Sequence, residues 1–440
     1  MKAAEIAQLF TALTLIVIAA HLLRELFRWM RQPPVIGEIL AGIVLGPTLL
    51  GWLIPGFGDR LIPGPGITPD VLAALSQLGL ILLMFLSGRE VARGRLEGQR
   101  RAVAVVAVAG LVIPVAAGIG LGGLLDHDGL SGPRGSAVTF ALVLGIAVGV
   151  ASIPVISRIM LDLGILDTRF ARMVLAVAVL EDVVLYAVLA VILGLAQAGT
   201  KDAYGLLSEL GDGPAAVTAT AYVLVNVLYF GVFLALGGWL FRVLAASRVN
   251  VLERRDPTAF RVTFLLLMVL GATVIGVDPI FGALLAGISV ARGGSGDDAR
   301  EGPAWDAIQR VATSLFIPIY FVSVGLKLDL VRHFDVWFFV WFLAFACVVK
   351  GGSVWLGARL SGHSRSAATD LAAALNARGG PGIVLASVTY AAGVITEDLY
   401  TVLVMLSIVT SQAAGAWLEH RFGRPAEAEP AESVTGRSTR

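Results

Sequence analysis

Two adjacent carboxylates interrupt an apolar run: Glu181-Asp182 stands between Ala176-Val177-Ala178-Val179-Leu180 and Val183-Val184. A lone lysine, Lys350, interrupts a second run, Phe345-Ala346-Cys347-Val348-Val349, just ahead of Gly351-Gly352. If these runs cross a membrane, each charge near mid-span costs about 2.5–3.5 kcal/mol on insertion scales. Groups kept at that cost face a water-filled cavity or one another, and they mark ion and proton pathways. A carboxylate in such a place can hold a monovalent cation and a proton in turn, because both bind the same oxygens. Successive helical residues lie about 100° apart, so Glu181 and Asp182 cannot point the same way. One can face a cavity while the other turns to a partner inside the bundle, and Lys350 is the expected partner. Lysine suits a proton-linked role, since its ammonium can release a proton where a guanidinium does not. The alternative reading is a purely structural ion pair beside a protonated acid.

The elements that position these charges carry a second signal. The expected fifth span, 136–162, contains Ala151-Ser152-Ile153-Pro154, and the twelfth, 366–393, contains Ala377-Arg378-Gly379-Gly380-Pro381-Gly382. Proline removes a backbone donor and glycine weakens a helix, so both places free backbone polar groups at membrane depth. Such breaks persist only where protein or a water-lined cavity satisfies those groups. Free carbonyls and the Ser152 hydroxyl near the first break can complete an oxygen shell for a cation held by Asp182. Two ordinary proline kinks are the competing explanation.

Composition fixes the solvent. Of 440 residues 57% are hydrophobic and 15% charged, against about 45–50% and 25% in soluble domains, and the mean hydropathy is +0.84. The expected class is an all-α membrane protein with roughly thirteen spans. Taking spans one to six and eight to thirteen as halves puts each break in the fifth span of its own half. Seven crossings separate equivalent spans, so the halves are expected to be inverted repeats whose broken helices cross at mid-membrane, a pointer to a transporter's binding site. The expected divisions are 1–197 for the first repeat, 198–257 for a linker with span seven, 258–422 for the second repeat, and 423–440 for a disordered cytoplasmic tail. Arginines gather on one side of this topology, among them Arg24, Arg28, Arg31, Arg89, Arg93 and Arg101. The positive-inside rule makes that side cytoplasmic, with the N-terminus outside and the C-terminus inside a cell membrane. Arg24, Arg28 and Arg31 follow the first apolar run instead of preceding it, so that run is expected to be a span and not a leader.

The ordered set of motifs resembles the monovalent cation:proton antiporter family, in its branch of bacterial Kef-type and Nap-type exchangers. The segments that carry the likeness are Gln32–Gly42 with Leu45-Gly46-Pro47, Ser152–Arg158, Glu181-Asp182, Phe316–Gly325, Lys350-Gly351-Gly352 and Ala377-Arg378-Gly379. The resemblance implies a homodimer in which each protomer pairs an interface domain with a mobile six-span core moving like an elevator. It implies that Asp182 binds cation and protons in turn and that Lys350 pairs with Glu181. Three positions depart from the family's pattern. Glu181 replaces a residue that is often aspartate, asparagine or glutamine, and Ala151 stands where a hydroxyl is common. Gly380 stands where glutamate is common, so Arg378 must find another partner.

The resulting expectation is a secondary transporter exchanging Na+ or K+ for protons. The site is drawn from Asp182, Glu181 and Ser152, with Lys350 as charge partner and Pro154, Arg378, Gly379 and Pro381 shaping and bracing the breaks. A proton-independent cation channel or uniporter, and an organic-anion symporter on a related fold, are the rival readings. Two carboxylates at the centre argue against the anion. No cofactor and no enzymatic activity are expected, and the net charge of +1 argues against nucleic acid as a partner. Membrane lipid is the expected surroundings. The run Gly118-Ile119-Gly120-Leu121-Gly122-Gly123 imitates a dinucleotide-binding pattern, but no strand precedes it, so helix packing is the reading. Glu38, Asn226 and Tyr186 are read as bracing and packing residues.

Overall fold

The computed structural model describes residues 3–30, 32–54, 56, 66–93, 100–125, 129–165, 168–197, 215–247, 250–294 and 298–423. The expected tail, 423–440, and the first part of the expected linker therefore lie largely outside the described residues. The fold is helical, and the order is α1 (Ala3–Trp29), α2 (Pro34–Leu45), α3 (Ile67–Arg93), α4 (Arg100–Leu124), α5 (Ala137–Gly149), α6 (Ile153–Asp162), α7 (Arg169–Gln197) and α8 (Ala215–Ala246). There follow α9 (Pro257–Ile275), α10 (Pro279–Gly293), α11 (Asp298–Val311), α12 (Ile317–Leu326), α13 (Val336–Leu360), α14 (Arg365–Ala374), α15 (Gly379–Ala391) and α16 (Glu397–Phe422). Among the described residues, eleven helical stretches are long and apolar enough to cross a membrane, and Ala137–Gly149 and Pro279–Gly293 are shorter apolar helices.

Local chemistry sets the helix ends. Ser136 and Thr139 form a reciprocal capping box at the start of α5, and Asp256 caps α9, whose first residue is Pro257. Asp335 accepts from the backbone N–H groups of Trp337 and Phe338 at the start of α13. Each of these satisfies donors that a helix start leaves open. Gly276 closes α9 in the left-handed region at φ 99°, a conformation that favours glycine.

The helices sort by contact into two bundles. One joins α1, α2, α3, α8, α9, α10 and α12; the other joins α4, α5, α6, α7, α13, α14, α15 and α16. Small residues let helices approach within each bundle. A Cβ on Gly42 of α2 would run into the backbone of α12 at Val322 and Gly325. The glycine run that imitates a nucleotide motif is such a seam: a Cβ on Gly118 would lie 2.6 Å from Gly145 Cα of α5. Exposed apolar side chains such as Val108 and Val112 on α4, Leu228 on α8 and Trp337 on α13 cover the outer faces, as lipid-facing surface must.

Between α11 and α12 the chain makes one π-helical turn, Ala312–Phe316, just before Pro318. Two of its carbonyls take side-chain partners from α1. Arg24 Nη1 donates to Thr313 O at 2.7 Å, and His21 Nε2 lies 2.9 Å from Ser314 O. Arg24 also pairs with Glu38 of α2 at 3.1 Å, so Glu38 braces this end of the bundle. That corner forms part of the wall of a cavity of about 480 Å3, together with Arg28, Arg89, Glu90 and, from the first broken span, Val155.

Candidate functional site

The first expected break is present: α5 stops at Gly149, Val150 is extended, and α6 begins at Ile153. A helix that ends leaves its last carbonyls without intrahelical donors, and here they are buried. Two cations take them. Arg378 Nε donates to Ala147 O at 2.9 Å, and its Nη2 donates to Val148 O at 3.1 Å. Lys350 Nζ donates to Gly149 O at 2.6 Å. The three carbonyls are successive, so the two side chains together form the C-terminal cap of α5. Positive charge at a helix C-terminus also complements the helix dipole.

Lys350 uses all three of its donors. Besides Gly149 O it reaches Glu181 Oε1 at 2.8 Å and Gly110 O at 2.8 Å. Gly110 is available because Pro114, four residues on within α4, has no N–H to offer it. Gly110 is also small enough for the contact: a Cβ there would sit 2.9 Å from Glu181 Oε1. Both side chains of the pair are fully buried, at 0% exposure.

Arg378 answers the question raised by Gly380, since it finds its partners in amides and carbonyls instead of a neighbouring glutamate. Its remaining donors go to Ala346 O at 3.0 Å, Asn376 O at 3.1 Å and Asn376 Oδ1 at 2.9 Å. The second expected break lies where α14 ends at Ala374 and α15 begins at Gly379. Gly379 has φ 39°, and a Cβ on it would strike Ser152 and Val155. The two breaks therefore touch at this residue. Ser411 of α16 accepts from Gly379 N–H at 3.0 Å, which satisfies one open donor of α15. Pro381 occupies the third position of α15, where a missing N–H costs nothing, and Pro154 is the second residue of α6.

Asp182 is treated differently. It is 2% exposed, and its Oδ1 has no hydrogen-bond partner among the described residues. Nor have Glu181 Oε2, Ser152 Oγ or Tyr186 OH, all buried. Tyr186 lies one helical turn beyond Asp182 on the same face of α7. Glu181 and Lys350 are thus joined directly, while Ser152 makes no hydrogen bond to Asp182. Gly110, Pro114, Asn376 and Ser411 carry roles the sequence analysis did not assign. Of these only the Gly110-x-x-x-Pro114 spacing offered a signal, a carbonyl without its helical donor.

The profile of the family described as "sodium/hydrogen exchanger, transmembrane" matches residues 12–421. The chain belongs to that family. Sodium/hydrogen exchangers are transporters of the antiporter kind and not enzymes, and this family member is a multi-pass membrane protein. It is 25% identical to the Na(+)/H(+)-K(+) antiporter GerN of Bacillus cereus, over 94% of this chain and 97% of that protein. It is 27% identical to the Na(+)/H(+) antiporter NhaS4 of a Synechocystis species, over 90% and 92%. Identity to the K(+)/H(+) antiporter 1 of Saccharomyces cerevisiae is 28%, over 90% of this chain and 44% of that one, so the chain spans about half of the yeast relative. The exchanger fold is also shared with the sodium proton antiporter MjNhaP1 of Methanocaldococcus jannaschii. There the TM-score is 0.62 at 12% identity, covering 95% of this chain and 97% of the other.

Outside the spans, His333 in the α12–α13 connection meets the start of α16. Its Nδ1 lies 2.8 Å from Asp398 Oδ1, and its Nε2 lies 3.9 Å from Glu397 Oε2. The bond to Asp398, with the nearby Glu397 and Asp329 charges, holds the His333 pKa above the usual histidine value.

Proposed function

We infer that this exchanger moves a monovalent cation, Na+ or K+, against protons, and that Asp182 is the group both occupy in turn. The observation that carries the reading is the contrast between the two neighbouring acids. Glu181 is matched by Lys350 at 2.8 Å, whereas Asp182, equally buried, has an oxygen with no partner among the described residues. A cation or a proton supplies what that oxygen lacks. Ser152 Oγ, also unpartnered, and backbone carbonyls at the touching breaks are the further oxygen ligands.

The same reading makes the α4–α7 and α13–α16 bundle the mobile core, carrying the site vertically past a homodimer-forming bundle. What supports it is that the breaks, both acids, Lys350 and Arg378 all lie on that one bundle. The core takes three spans from each inverted half. The arginine-lined cavity is the cytoplasmic vestibule, with the N-terminus outside and the membrane a cell membrane, as the positive-inside rule requires. The test is proton flux in proteoliposomes on adding Na+, K+ or Li+ in turn, for parent and Asp182→Asn. The variant should reach the membrane at parent levels and keep its fold, yet show no cation-dependent proton movement. Normal exchange by Asp182→Asn removes the assignment.

A further inference from the structure

A second cavity, of about 260 Å3, lies between α4, α5 and α7 and shares no lining residue with the arginine-lined one. Its wall is apolar, with Val112, Ala116 and Ile119 from α4, Ile146 from α5 and Val184 from α7. Val112, Ile119 and Val184 are also among the exposed apolar residues of the outer surface. The crevice therefore opens toward lipid and not toward the aqueous vestibule.

One charged side chain lines it, Glu181. Its Oε1 is held by Lys350, and its Oε2 is buried with no partner among the described residues. A hydrocarbon tail can fill an apolar crevice but cannot donate to a carboxylate oxygen, and an unmet buried acceptor is costly. The occupant that answers both halves of the site has an apolar body and one N–H donor. The volume is below the roughly 300–1,000 Å3 of pockets that take drug-sized ligands, so the body is compact, a single cage or bicycle and not an extended chain.

We propose that this crevice binds compact lipophilic amines arriving through the bilayer, with the apolar body between α4, α5 and α7 and the nitrogen donating to Glu181 Oε2. Such a ligand shares the Glu181 carboxylate with Lys350, one on each oxygen, and ties α4 to α7. Slowing of exchange by the amine rests on the antiporter reading; binding itself does not.

The experiment measures equilibrium binding of radiolabelled 1-adamantylamine to the full chain in lipid nanodiscs. No transport is read, so the result is independent of Asp182 and of any exchange. The parent should show saturable binding at one site per chain, beyond the partitioning into empty nanodiscs. Unlabelled 1-methyladamantane, the same cage without the nitrogen, should compete at least tenfold more weakly. Ala116→Phe places a ring in the crevice from the exposed face of α4 and should weaken binding at least tenfold. Its melting temperature should stay at the parent level. Val188→Phe does the same from α7 and stands in if the first variant misfolds. Uptake that never saturates, or binding unchanged by both fillers, overturns the site. Equal competition by the hydrocarbon cage overturns the role of Glu181.

Discussion

Lys350→Gln is the perturbation whose consequences the geometry fixes most closely. The ammonium donates to Glu181 Oε1, Gly110 O and Gly149 O, all buried. A glutamine amide brings two N–H groups, enough for part of the carbonyl load, so the uncompensated carboxylate dominates the loss. Removing one partner of a buried ion pair costs about 3–5 kcal/mol. With an unfolding entropy of roughly 2.1 cal/mol/K per residue, a chain of 440 residues loses about 1 °C of melting temperature per kcal/mol. The expected drop is therefore about 3–5 °C, readable by thermal-shift fluorescence in detergent. Glu181→Gln combined with Lys350→Gln replaces the pair by two neutral amides that can bond each other, and should recover more than half of it. The same preparations, reconstituted together, report the membrane potential generated by cation-driven exchange. Lys350→Gln should move it toward electroneutral. A single variant that melts with the parent refutes the three-acceptor account. A double variant that melts as low as the single shows that the carboxylate charge is not the source of the loss.

Competition of proton and cation for one carboxylate, as proposed for Asp182, should make apparent cation affinity weaken steadily as pH falls; a flat affinity from mildly acid to mildly alkaline pH would exclude it. Gly379→Ala adds a Cβ at φ 39° into Ser152 and Val155, a strain of about 1–3 kcal/mol or more, and should lower both melting temperature and exchange. Gly380→Ala, where a Cβ meets nothing within 4 Å, should be tolerated, and equal effects of the two would argue against the touching breaks. His333 has its pKa raised in the folded state, so its ion pairing stabilises fully below the unfolded value of about 6.5 and fades as pH rises through the folded one. His333→Ala should therefore lose stability on the acid side and little at alkaline pH, a difference that melting curves across pH would show.

Much of the candidate site was legible because membrane burial makes polar residues conspicuous. Glu181, Asp182 and Lys350 stand out in apolar runs, and Ser152-Ile153-Pro154 and Arg378–Gly382 announce their breaks through residue types that cannot continue a helix unaided. What stayed hidden were acceptors and donors of ordinary type. Nothing in the composition of α4 marks Gly110 except its spacing from Pro114, and Ser411 is one hydroxyl among many.

By itself the sequence determined the solvent, the helical class, the places where helices fail and the charges that lipid cannot tolerate. Each of these follows from local composition: an apolar run of given length, a proline, a glycine, a carboxylate. The tertiary structure decided which groups meet. Order along the chain suggests two consecutive halves, but the packed bundles draw on both. That brings Lys350 and Arg378, from late in the chain, to the three carbonyls at the end of α5. A freed carbonyl announces only that it needs a donor; which side chain answers depends on how distant helices pack.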